Sequence, residues 1–162
     1  MLFRSGDDII LKEIKKGADS SKMIKMGKRV RQASIKLSIT VLNGLGGRKN
    51  SKRHAMETGR VLSAIDPEFV GALSLMLVPG TELFEQHEKG DFELINPEEM
   101  LEELGLMIAS THLSNGLFHA NHASNYLPIR AKLPEEKEKT LELISQALKG
   151  NVALKPEHMR AL

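Results

Sequence analysis

The residues best equipped for chemistry lie close together near the end of the chain. Asn121, His122, Ser124, Asn125 and Tyr126 fall within one short stretch that carries no lysine, arginine or carboxylate. Such a density of neutral hydrogen-bonding groups can line a polar pocket, with His122 the candidate acid–base group near neutral pH. The same side chains can instead satisfy their own backbone in a tight turn. Both readings stand at the level of sequence. A second stretch, Gly44-Leu45-Gly46-Gly47, follows Asn43. Its N–H groups can wrap a phosphate or ribose, or it can be a plain strand-to-helix turn. It matches neither the P-loop nor the dinucleotide glycine pattern. Pro79-Gly80-Thr81 reads as a tight turn followed by a Thr cap.

His119 and His122 are three residues apart, with His112 upstream, which invites a metal reading. No carboxylate falls between His119 and Tyr126, however, and a loop does not fix the geometry of that spacing. No metal site is expected. His54, His87 and His158 fall on predicted helices and are expected at the surface. No Ser/His/Asp triad or carboxylate pair can be argued from spacing.

These stretches need elements to hold them. Leu37 to Leu42 is β-branched and reads as a strand running into Asn43. Phe69 to Val78 is a nearly continuous apolar run, the pattern of a strand covered on both faces. Leu113 to Phe118 is a weaker third strand leading toward Asn121. Helices are expected from Asp7 to Lys16, from a Ser20 or Ser21 cap to Ser34, and from Ser51 to Ile65. Others run from Thr81 to Gly90, from the Asn96 cap with Pro97 to Thr111, and from Pro134 to Gly150. Pro156 opens a last short turn. Strands alternating with helices imply parallel pairing and right-handed crossovers. Ligands of such sheets gather outside the carboxyl ends of the strands, where all three chemical stretches fall. The fold class is α/β, in one domain over residues 1–162.

Composition narrows the function classes. Hydrophobic residues make up 41% and charged residues 27%, ordinary for a globular domain. Aromatics are only 4%, so the core must be Leu, Ile, Val and Met. Basic residues crowd the segment from Lys12 to Lys36 and again at Arg48, Lys49, Lys52 and Arg53. They read as solvated helix faces or as a contact for a phosphate or acidic partner. No aromatic is interleaved with them, so no nucleic-acid surface is expected. No apolar run approaches the ~18 residues of a membrane span, and Met1-Leu2-Phe3-Arg4 is too short for a secretory signal. The chain has no cysteine. That excludes thiolate chemistry and any cysteine-held cluster on this chain alone, and it fits a cytoplasmic location.

Four stretches, taken together in order, carry a resemblance. They are Ser5-Gly6-Asp7-Asp8 with Leu11 to Gly17, Ile39 to Gly47, Leu75 to Leu83, and Asn121-His122-Ala123-Ser124-Asn125-Tyr126-Leu127-Pro128. They resemble the C-terminal half of a radical SAM Fe–S oxidoreductase barrel, of the uncharacterised branch related to B12-binding radical SAM proteins and methylthiotransferases. The resemblance implies a partial (β/α) TIM-type barrel of about three parallel strands with flanking helices. It implies that Ser5, Gly6, Asn43, Gly44, Gly46 and Gly47 lie near S-adenosylmethionine. Pro79, Gly80 and Thr81 would shape the barrel mouth, and Asn121, His122, Ser124, Asn125 and Tyr126 would close it. In that family the first half supplies the cysteines of a 4Fe–4S cluster that cleaves S-adenosylmethionine. Two positions depart from the pattern: Arg4 stands where Glu is usual, and His119 where Arg is usual.

The expectation is therefore the C-terminal portion of a radical SAM-type oxidoreductase, inactive alone and holding no cofactor by itself. It should pair with copies of itself or with a chain supplying the missing half-barrel. Two other readings remain. One is a non-catalytic remnant that binds a ligand or partner. The other is an unrelated small α/β enzyme using His122.

Overall fold

A computed structural model describes residues 2–162; Met1 lies outside them. Helix starts follow local capping chemistry. The Asp7 carboxylate accepts the Ile9 and Ile10 N–H groups and opens α1 (Asp8–Glu13). Helix α2 (Ser20–Gln32) is capped by Asp19 rather than by either serine. Ser20 instead donates to Asp8 at 3.1 Å and docks the two helices. Helix α3 (Gly47–Ile65) begins ahead of Ser51 with no side-chain cap. The Arg48 N–H finds the Glu93 carbonyl at 2.9 Å instead. Helix α4 (Glu82–Glu88) is capped by Thr81, and α5 (Pro97–Ser110) by a capping box of Asn96 and Glu99. The last helix is α6 (Lys137–Leu148), and Glu157–Met159 makes a final 3-10 turn.

The strands are β1 (Leu2–Arg4), β2 (Ser38–Asn43), β3 (Phe69–Ser74), β4 (Gly116–Ala120) and β5 (Ile129–Leu133). They lie in that order in one sheet of five. Pairing is parallel from β1 to β4 and antiparallel between β4 and β5. The about three parallel strands expected are present as β2, β3 and β4, and β1 and β5 extend the sheet on either side. The alternation Ile129-Arg130-Ala131-Lys132-Leu133 is a half-buried strand pattern, and the prolines on both sides disguise it as loop.

Alternation along each strand divides the sheet into two unlike faces. Ile39, Val41, Val70, Ala72, Phe118, Ala120, Ile129, Ala131 and Leu133 are buried on the helical side. Thr40, Leu42, Gly71, Leu73, Leu117 and His119 are only half-buried on the other side, and Phe69 is 37% exposed. So β3 is not covered on both faces, as its apolar run had implied, because no helix among the described residues packs closely on the second one. In a closed (β/α) barrel that second face is the interior.

Candidate functional site

The carboxyl ends of β2 and β3 open onto a cleft of ≈ 1060 Å³ on the uncovered side. Thr40, Leu42 and Leu73 contribute from the strands. Leu75 and Leu77 continue the apolar wall, and Gly46, Gly47 and Phe92 contribute from loops. Its cations are Arg4, Lys15, Arg48 and Lys49. Lys15 pairs with Glu82 at 2.7 Å, and Arg48 pairs with Glu93 and Glu99. Neither Arg4 nor Lys49 has an ion pair among the described residues.

The glycine loop that borders the cleft is shaped by the chain's own packing. A Cβ on Gly44, at φ +86°, would meet Met100 Cε at 2.4 Å. One on Gly47, at φ +58°, would meet Phe92 and the Glu93 carbonyl at 3.0 Å. Of the residues that the resemblance puts near S-adenosylmethionine, only Gly46 and Gly47 reach the cleft.

Ser5 and Asn43 belong instead to a buried polar knot behind that loop. The Ser5 hydroxyl donates to His54 Nδ1 at 2.9 Å and accepts the Asp7 N–H at 3.1 Å. His54 Nε2–H donates to the Leu42 carbonyl at 3.1 Å. Glu103 Oε1 accepts the Gly44 N–H at 2.6 Å and lies 3.6 Å from His54 Nε2. Asn43 Nδ2 donates to the Met100 carbonyl at 2.8 Å, and the Gly6 N–H to the Thr58 hydroxyl at 2.9 Å. Burial lowers His54 to about 4, against the bond to Leu42, which raises it. Burial pushes Glu103 up to about 7, while the Gly44 N–H and the Ser51 hydroxyl pull it down. Each ring or carboxyl resists its charged form because water is absent.

His54 was expected at the surface, and it is fully buried. Its spacing to Thr58, Leu62 and Ile65 marks one helical face, which is the signal that places it inside. Ser5, His54 and Glu103 have the residue types of a hydrolase triad. Ser5 is 0% exposed and lines neither the cleft nor the smaller cavity beside Glu103, so the hydroxyl is closed to substrate. The knot is a latch that holds α3 and α5 to the ends of β1 and β2.

The 121–126 stretch divides. Ser124 Oγ accepts the Ser74 N–H at 3.1 Å, and Asn125 Oδ1 accepts the Ser74 hydroxyl at 2.9 Å. Asn125 Nδ2 donates to the Ala72 carbonyl at 2.9 Å. These bonds dock the loop on the end of β3. Tyr126 donates to Glu157 at 2.6 Å, and its hydroxyl is pushed up to about 12, first by burial and then by that bond. Arg160 stacks on the Tyr126 ring at 4.1 Å and donates to the Ser124 and Leu75 carbonyls. Nothing in its local sequence singled out Arg160. Asn121 and His122 are exposed and line neither cavity, although His122 Nδ1 accepts the Ser124 N–H at 3.2 Å. Of the mouth residues, Thr81 lines the cleft, while Pro79 and Gly80 are exposed beside it. His119 is half-buried on the uncovered face, and its Nε2 is shielded without a hydrogen-bond partner. No three His, Asp or Glu side chains among the described residues group as metal ligands.

No family model matches the chain. Over 91 residues it is 32% identical to an uncharacterised protein of Methanocaldococcus jannaschii, a match covering 56% of this chain and 28% of that protein. A solved structure of archaeal Elp3 from Methanocaldococcus infernus, with an N-terminal deletion, covers 93% of this chain at a TM-score of 0.56 and 19% identity. The chain spans 35% of that Elp3 chain. At this identity the likeness shows the fold: an α/β, barrel-like unit matching part of Elp3.

Proposed function

We propose that this chain forms the second half of a radical SAM-type barrel and supplies one wall of its ligand cleft without carrying the cluster. The observation that carries this reading is the sheet with two unlike faces. Helices cover one, while Leu42, Leu73, Leu117 and His119 stay half-open on the other beside a cleft at the strand ends. Elp3, whose fold the chain shares in part, is a radical SAM enzyme, the class that the four motifs resemble.

The cluster does not fit this chain, which has no cysteine to bind it. Its ligands would come from a segment outside the 162 residues, and no reaction step is assigned to side chains here. What these residues do is structural. The Ser5–His54–Glu103 latch fixes the glycine loop, and Ser124 with Asn125 fixes the far rim. An open barrel face and a free strand edge call for a cover. That cover is a completing half or a second copy of the chain.

A second reading, a binding module without catalysis, has its own support. Ser5 and the Asn43 amide N–H are engaged within the fold, and the glycines at 44 and 47 are explained by packing. Calorimetry with S-adenosylmethionine separates the two. Saturable heat favours the cofactor-handling half-barrel, and no heat at millimolar ligand sinks the cofactor claim for this chain.

A further inference from the structure

We propose that the cleft takes an anionic ligand with an apolar body, its head group held by Arg4. Four non-glycine residues have left-handed backbone: Arg4 at φ 74°, Lys15 at 53°, Ser34 at 58° and Asp66 at 54°. Three of them terminate helices, where this conformation satisfies the last carbonyls. Lys15 sits under the Lys16 N–H to Leu11 carbonyl bond of 2.9 Å, and Ser34 under the Ile35 to Val30 bond of 3.3 Å. The Asp66 N–H reaches the Leu62 carbonyl at 2.8 Å. Arg4 has no helix end to explain it. It closes β1 at a slip in the register, where Leu2 pairs with Thr40 and Arg4 with Val41. A side chain bearing Cβ is disfavoured in this conformation, and glycine is not.

Ser5 and Gly6 anchor the backbone that follows, but no partner of the Arg4 side chain among the described residues calls for an arginine there. Arg4 is exposed and lines the cleft, and its guanidinium makes no hydrogen bond or ion pair among the described residues. Strained residues of this kind cluster where a side chain must be presented to a ligand. The group presented is a planar guanidinium, which matches carboxylate and phosphate oxygens two at a time. Thr40 lies on the neighbouring strand, half-buried, and its hydroxyl also has no partner among the described residues. It provides a second donor. Beyond it, Leu42 and Leu73 are register partners across β2 and β3, and with Leu75 they offer an apolar track. The cleft acids do not neutralise Arg4: Glu82 and Glu93 pair with Lys15 and Arg48, and Glu13 and Asp91 make no bond to it.

This inference rests on the cleft being a ligand site, as in the half-barrel reading, but it needs neither a cluster nor S-adenosylmethionine. The test is calorimetry on the full chain with octanoate, octyl phosphate and octylamine at matched ionic strength. Saturable binding of at least one anion and none of the amine is expected; the tighter anion identifies the head group. Arg4→Gly should weaken that anion roughly tenfold or more and raise the thermal midpoint, since it removes the head-group contact and the strain together. The rise in midpoint rules out misfolding as the cause of lost binding. Absence of saturable anion binding, equal binding of octylamine, or unchanged affinity in Arg4→Gly overturns the proposal. Any of these would leave the S-adenosylmethionine result of the preceding section where it stood.

Discussion

Buried between α3 and α5, His54 and Glu103 oppose one another as pH sensors. His54 falls from its ordinary 6.5 to about 4, so its contribution to stability is present above 6.5 and lost as pH falls through 4. Glu103 rises from 4.5 to about 7, so its contribution is present below 4.5 and lost as pH rises through 7. Between pH 4.5 and 6.5 the two slopes oppose and nearly cancel. Glu103→Gln should unmask the His54 slope, with stability rising by about 1.4 kcal/mol per pH unit in that window. His54→Gln should show the reverse slope. Urea unfolding at several pH values measures both, and slopes identical to the parent chain would remove the pair from the account. At this scale the sequence was only partly readable. Ser5 and Asn43, which the resemblance puts near a ligand, stand at the ends of β1 and β2, and Asn125 lies in the loop between β4 and β5. Whether each faces the cleft or the helices depends on strand alternation and on partners such as Met100 and Ser74, dozens of residues away. His54 was misplaced because histidine type outweighed the apolar spacing around it.

Elements were more legible than residues. Local chemistry writes helix ends: Asp7, Thr81 and the Asn96–Glu99 box all cap as their types imply. Short strands are less local. β1 has only three residues and exists because β2 gives it a partner. Helix crossings are set by size at one point. At the contact of α3 with α5, a Cβ on Gly59 would lie 2.7 Å from Ser110 Cβ and 3.0 Å from the Met107 carbonyl. Those neighbours are a short side chain and backbone, so the helices must separate. Gly59→Ala should cost ~1–3 kcal/mol despite alanine's better helix propensity. Thermal unfolding measures it, and an unchanged or higher midpoint would show that the crossing is looser than these distances.

The whole molecule carries an uncovered sheet face that the apolar run of β3 had led us to expect buried. If that face is an association surface, light scattering on the concentrated chain should report a species larger than one copy. A clean monomer at high concentration would remove self-association and leave only the completing segment as cover. The two outer strands are both poor templates for self-association. The β5 edge carries Arg130 and Lys132, and the Lys132 N–H is already held by Glu136 at 2.7 Å, both features that discourage a further strand. The β1 edge is blunted in another way, by its length of three residues, by the slip in register and by the Arg4 charge. With both edges blunted, growth by strand addition into a fibre is disfavoured, and a partner would meet the open face rather than an edge.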